Sequence, residues 1–70
     1  MPDIPDSKAG RVGDVVWEAR AEWLAGRYWW RVYVAGHPKV LVRYAEHAAA
    51  AAEALAADEL QFRRESTAAE

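Results

Sequence analysis

The chain has 70 residues, no cysteine, a formal net charge of -2 and a sequence pI near 5.6. That length leads to the expectation of one core and no second domain. The absence of thiols excludes disulfide staples and thiolate metal sites and makes a reducing, cytoplasmic compartment the expectation, while the acidic balance disfavours holding nucleic acid by bulk charge.

Residues 1–13 carry Pro2, Pro5, Gly10 and Gly13 with few large apolar side chains. This composition predicts a flexible N-terminal arm ahead of a single domain over 14–64, with 65–70 as a flexible tail. The opening segment lacks the basic start and apolar run of a secretion signal. No later stretch approaches the roughly 20 apolar residues of a membrane span, so no membrane partner is expected.

From Val15 to Leu24 the chain alternates, with Val15, Trp17, Ala19, Ala21 and Trp23 on one face and Glu18, Arg20 and Glu22 on the other. Period two reads as a strand with one wet face. A helix over the same residues is the competing reading, since Asp14 is a good cap, Glu-Ala-Arg-Ala-Glu favours helix and Gly26 would end it. Ala25-Gly26 reads as a tight hairpin connection into Arg27–Val34, which alternates and is rich in aromatic and β-branched residues.

Ala35-Gly36-His37-Pro38 reads as a second turn, and Lys39–Tyr44 as a third short strand with proline ahead of it, where no ladder donor is lost. The period then changes. Glu46 to Asp58, extending toward Arg64, reads as a helix with a stripe of Ala48, Ala51, Ala52 and Leu55. Small alanines let a helix lie close to a sheet, with Trp17, Trp30, Val32, Val42 and Tyr44 supplying volume from the strands. The fold class expected is α+β, a three-stranded antiparallel sheet packed against one C-terminal helix (βββα), with αββα as the alternative.

Catalytic constellations are nearly absent. His37 falls in a turn and His47 at a helix start, neither near a serine or cysteine nucleophile in sequence. Glu18 and Glu22 are too far apart along a strand to share a proton and are expected to pair across to Arg27 or Arg31. No short-spaced metal-ligand set occurs, and Gly10 and Gly13 lack the lysine-serine or lysine-threonine of a phosphate loop. The expectation is a non-enzyme without metal or cofactor.

The informative feature is the outer sheet face, where alternation gathers Arg20, Arg27, Trp29, Arg31, Tyr33, Lys39 and Arg43 with Glu18, Glu22 and Leu41. The plain reading is a solvated face of cross-strand ion pairs, with the aromatics covering arginine stems. Tryptophan beside arginine is also a hot-spot composition for a protein partner, and basic residues interleaved with aromatics suit nucleic acid. A three-stranded sheet also leaves two unpaired edges, through which a homodimer is expected.

Gly26, Trp29-Trp30, Val32 and Val34, then Pro38 and Val40, then the helix from Glu46 through Ala50 to Leu55 carry a resemblance. On them, the stretch Trp17 to Leu55 resembles the sheet and helix of HicB-type antitoxin domains, with Ala35 where that family has the first proline of its turn and Lys39 where it has a glycine. The resemblance implies a nuclease-like fold without catalytic acids, a role binding a toxin or similar effector, and self-association. The Trp30-Arg31-Val32 strand and the Tyr44-to-Ala50 junction also resemble the three-strand-plus-helix arm-binding domains of phage-type integrases. That likeness implies DNA binding through Arg27, Trp29, Arg31 and Arg43, against which the net charge argues. The alanine and arginine bias resembles chains of high-GC bacteria or their phages, so a phage-encoded effector of a host protein is a further form of the protein-binding expectation.

Overall fold

The computed structural model describes residues 7–68. The fold is α+β: an antiparallel meander of β1 (Lys8–Val12), β2 (Val15–Leu24), β3 (Arg27–Val34) and β4 (His37–Val42), in that spatial order, followed by helix α1 (Ala45–Ala68). The sheet therefore has four strands where the sequence predicts three. The extra one comes from the presumed arm, whose residues 1–6 lie outside the described residues.

β1 exists for a tertiary reason. Its Gly10 pairs with Trp17 across the ladder, and a Cβ on Gly10 would lie 2.7 Å from Trp17 Cζ2. The bare glycine backbone is the floor on which the indole rests, and Trp17 is only 6% exposed. A strand built on such a contact has little bulk of its own to announce it.

Alternation in β2 prevails over its helical propensity: Val15, Trp17 and Ala19 are buried, and the residues between them are half-buried or exposed. Val32 and Val34 from β3 and Ala48, Ala52 and Ala56 from α1 complete the core. The helix stripe thus runs through Ala48, Ala52 and Ala56, with Ala51 and Leu55 half-buried on its flank. With a methyl as the largest projection, the helix backbone settles close onto the sheet. Tyr44 is no part of this core, contrary to expectation, because β4 ends at Val42 and Tyr44 lies in the turn into α1.

Two hairpins close in two residues each, Ala25-Gly26 and Ala35-Gly36, with all four residues at positive φ (53° and 80°, 52° and 82°). That is the pattern of type I′ turns, whose twist matches the strands they join. The tight second turn starts β4 at His37, opposite Val34, ahead of the expected Lys39 start, and places Pro38 inside the strand. A register shift follows, and Lys39 has no partner across the ladder.

The helix also outlasts its expected end, and residues up to Ala68 of the presumed 65–70 tail are helical. Hydrogen bonds of 3.2 Å from Arg63 to Glu59 and from Gln61 to Glu65 support this last stretch at i, i+4 spacing. α1 runs back along the sheet until Leu60 meets Gly13 in the β1–β2 turn, where a Cβ would sit 2.8 Å from Leu60 Cδ2. The molecule is elongated, 53 × 19 × 17 Å.

Two stability outcomes follow. Gly10→Ala is expected to destabilise the fold by about 1–3 kcal/mol through overpacking against Trp17, read as a lower thermal midpoint and a changed Trp17 emission. Ala25→Asn, which eases a left-handed alanine at an exposed turn, is expected to stabilise by about 0.5–1 kcal/mol, read in urea titration as a higher midpoint at unchanged slope.

Candidate interaction face

α1 covers one face of the sheet, and the other is open. On the open face β2 presents Val16, Glu18, Arg20, Glu22 and Leu24, and β3 presents Arg27, Trp29, Arg31 and Tyr33. Register fixes the neighbours: Glu18 faces Tyr33, Arg20 faces Arg31, Glu22 faces Trp29 and Leu24 faces Arg27.

The direct Arg20–Arg31 opposition is unfavourable by itself, since like charges facing across a ladder repel. Each arginine is turned to a carboxylate. Arg20 makes a two-pronged contact with Glu18 on its own strand, Nε to Oε1 at 2.6 Å and Nη2 to Oε2 at 3.2 Å. Arg31 donates through Nε to Glu22 Oε2 across the ladder. The expected cross-strand pairing thus forms for Glu22, whereas Glu18 pairs along its own strand.

Aromatic side chains flank the two ion pairs, Tyr33 at one end and Trp29 at the other. The Arg20 guanidinium lies 5.2 Å from the centroid of the Tyr33 ring, within cation–π range. Trp29 is half-buried and its indole Nε1 donates to the Leu24 carbonyl oxygen at 3.1 Å, which fixes the ring near the hairpin tip. On β4, exposed Leu41 stands opposite Arg31, and Pro38 stands opposite Tyr33.

Of the residues expected on this face, Arg20, Arg27, Trp29, Arg31 and Tyr33 lie together on β2 and β3. Lys39 is exposed at the irregularity of β4. Arg43 is not on the strand face: it lies in the turn beyond Val42, with its guanidinium 5.5 Å from the Tyr44 ring centroid. Sequence reading missed Arg11, exposed on β1 opposite Val16, because β1 itself was not foreseen. Arg11, Arg27 and Lys39 have no carboxylate partner among the described residues.

His37 is exposed at the start of β4, and His47 sits in the first turn of α1, edge-on to Tyr44 with ring centroids 5.4 Å apart. Among the described residues no group of three or more histidine, aspartate or glutamate side chains gathers to hold a metal ion. No described helix is long and apolar enough to cross a membrane.

Both sheet edges are blunted. β4 carries Pro38, which has no N–H to offer, followed by Lys39 at the register shift, and β1 is short with Lys8 and Arg11 along it. Such devices oppose strand addition at these positions.

Comparison of the chain with protein-family models, with curated proteins and with solved structures gives no match.

The hydrogen bond from Arg20, reinforced by its charge, holds the Glu18 carboxyl below its ordinary value, and Glu18 in turn raises the Arg20 guanidinium. A carboxyl depressed in the folded state contributes stability above the unfolded glutamate pKa of about 4.3 and loses it as pH falls through the folded value. Both groups are solvent-exposed, so the readout is local. A side-chain carbon titration by NMR is expected to place the Glu18 midpoint below the ordinary glutamate value of about 4.3, and Arg20→Ala to return it there.

Proposed function

We propose that this chain is a non-catalytic, cytoplasmic protein-binding module that holds its partner on the open face of the sheet. The observation that carries the reading is the neutralisation of the central arginines. Arg20 and Arg31 are already paired with Glu18 and Glu22, so the middle of the face is an amphiphilic surface of aromatic rings and satisfied ion pairs. A protein surface complements that arrangement better than a run of phosphates does, because displacing either pair exposes a carboxylate to the backbone anion.

Trp29 and Tyr33 are the anchors of this reading. Both rings are partly accessible and held in place, Trp29 by its bond to Leu24 and Tyr33 by the arginine over it, so little rotamer freedom is lost on binding. Arg20 and Arg31 form the polar centre between the two rings. The antitoxin resemblance supplies the kind of partner: a toxin or a comparable effector, or a host protein if the chain is phage-encoded.

A second reading, DNA on the same face, rests on Arg11, Arg27 and Lys39, whose charges lack a carboxylate partner among the described residues. The two separate in one experiment. The tagged chain is used to capture partners from lysate of its source cells with and without nuclease, and binding of the captured species is then titrated with purified components. The expected result is a stoichiometric protein that survives nuclease. Tyr33→Ala and Trp29→Ala should each weaken its binding by at least about thirtyfold, as hot-spot truncations of 2 kcal/mol do, with an unchanged far-UV spectrum. Recovery of nucleic acid alone, lost on nuclease treatment and weakened steeply by salt, would overturn this reading in favour of the second.

A further inference from the structure

The sheet divides the charge of this molecule. Helix α1 carries five acidic residues against Arg63 and Arg64, while on the open face Arg11, Arg20, Arg27 and Arg31 outnumber Glu18 and Glu22. A chain of net charge -2 therefore presents a positive surface on the side that its helix leaves open.

The positive excess sits at the two ends of that face. In the middle, Glu18 and Glu22 are taken up by Arg20 and Arg31, so the cations without a carboxylate among the described residues are Arg11 at one end and Arg27 at the other. Each of them is exposed and faces an exposed aliphatic side chain across the ladder: Arg11 faces Val16, 57% exposed, and Arg27 faces Leu24, 38% exposed. Val16 and Leu24 stand at the two ends of β2, eight residues and about 26 Å apart. Tyr33, Trp29 and exposed Leu41 lie between them. The other exposed ring of the hairpin, Trp23, is 59% exposed and edge-on to Tyr28 at 4.8 Å, but it lies on the helix side, past the start of α1, with no charge opposite it on the ladder.

We propose that the open face receives an acidic amphipathic helix of the partner protein, about 18 residues long, with its apolar stripe on the aliphatic and aromatic side chains and its carboxylates against Arg11 at one end and Arg27 at the other. This occupant presupposes the protein partner proposed above and specifies the segment that makes contact.

Three constraints select it. A segment lying flat on a sheet face finds side chains there and no backbone groups to pair with, so its own N–H and C=O groups must be satisfied within it, as they are in a helix. Strand addition, the other use of a sheet, is opposed by Lys8 and Arg11 on β1 and by Pro38 and Lys39 on β4. The length follows from the spacing, since about 26 Å corresponds to about 18 residues at a rise of roughly 1.5 Å. The sign follows from the end cations. A carboxylate beside Arg11 or Arg27 gains a partner without displacing an existing pair, a lysine there adds repulsion, and the acidic α1 steers an acidic segment away from the opposite side of the molecule. One helix on one sheet face is a contact of the transient class, in which charge sets partner choice and encounter rate more than affinity.

The test uses a set of capped peptides of about 18 residues with the same leucine stripe at helical spacing and with glutamate, glutamine or lysine at the flanking positions. Each is titrated into the isotope-labelled full chain and followed through amide and ring signals by NMR. The glutamate peptide is expected to bind at least about tenfold more tightly than the glutamine peptide, with shifts concentrated at Val16, Leu24, Trp29 and Tyr33 and with affinity falling as salt rises from about 0.05 to 0.5 M. The lysine peptide is expected to be the weakest. In the double variant Arg11→Glu with Arg27→Glu, its fold checked by the far-UV spectrum, the order should reverse and the lysine peptide bind best. Equal binding of the glutamate and glutamine peptides on the open face would overturn the acidic occupant and leave the protein-binding reading standing. Shifts centred on α1 or the hairpin tip, or no binding of the glutamate peptide at millimolar concentration, would overturn it as well. The protein-binding reading fails on a separate result, recovery of nucleic acid alone from lysate.

Discussion

Among the described residues Trp17 is the one large side chain buried in the core, and its accommodation governs the arrangement around it. Beneath the indole, Gly10 must be bare; around it, Ala19 and the alanine stripe of α1 must stay small. β1 is held by its pairing with β2 and by this contact, and the helix approaches as closely as methyl groups permit. Enlarging any of these neighbours means moving a strand or a helix, because a close-packed interior has no spare volume to absorb the change. The heavy aromatic content of the sequence suggests a bulky core, yet Val15, Val32 and Val34 are the largest fully buried side chains. Most of the aromatic surface is partly or largely exposed, where it bears on interactions with other molecules.

That division gives the hairpin two unlike sides. On its open side, ion pairs satisfy the arginines between two flanking aromatic rings; on its helix side, Trp23 and Tyr28 lie past the point at which the helix begins. Both depend on the same β2–β3 ladder, whose register sets every neighbour relation on either face. Trp29 Nε1 bonded to the Leu24 carbonyl ties the tip together from the open side, so the presentation of Trp23 on the other side depends on a contact it does not make.

The sequence makes β2, β3, both alanine-glycine turns and the alanine stripe readable, because period two, period 3.6 and turn chemistry are local signals. β1 is not readable, because Lys8-Ala9-Gly10-Arg11-Val12 has neither bulk nor alternation of its own, and its reason for being a strand lies under Trp17. The starting point of β4 depends on closing the turn in two residues, so a plausible four-residue turn hides it. On the open face the strand alternation places Arg20, Arg27, Trp29, Arg31 and Tyr33 correctly, whereas Arg43 and Tyr44 follow from where β4 stops. The exposure of Trp23 is illegible for a related reason. Alternation says which face a residue joins, and only the tertiary offset of α1 says whether that face is covered there.

The meander order of the strands carries a kinetic consequence. Every strand bonds to its neighbour in sequence, and the helix follows the last strand directly, so no native pairing waits on a long crossover. Proteins dominated by such local contacts close small loops first and search little, which places their folding toward the fast end for sheet-containing domains. The Ala25-Gly26 hairpin joins the two longest strands. The left-handed alanine at its tip carries a conformational cost of about 1–2 kcal/mol that a glycine would not.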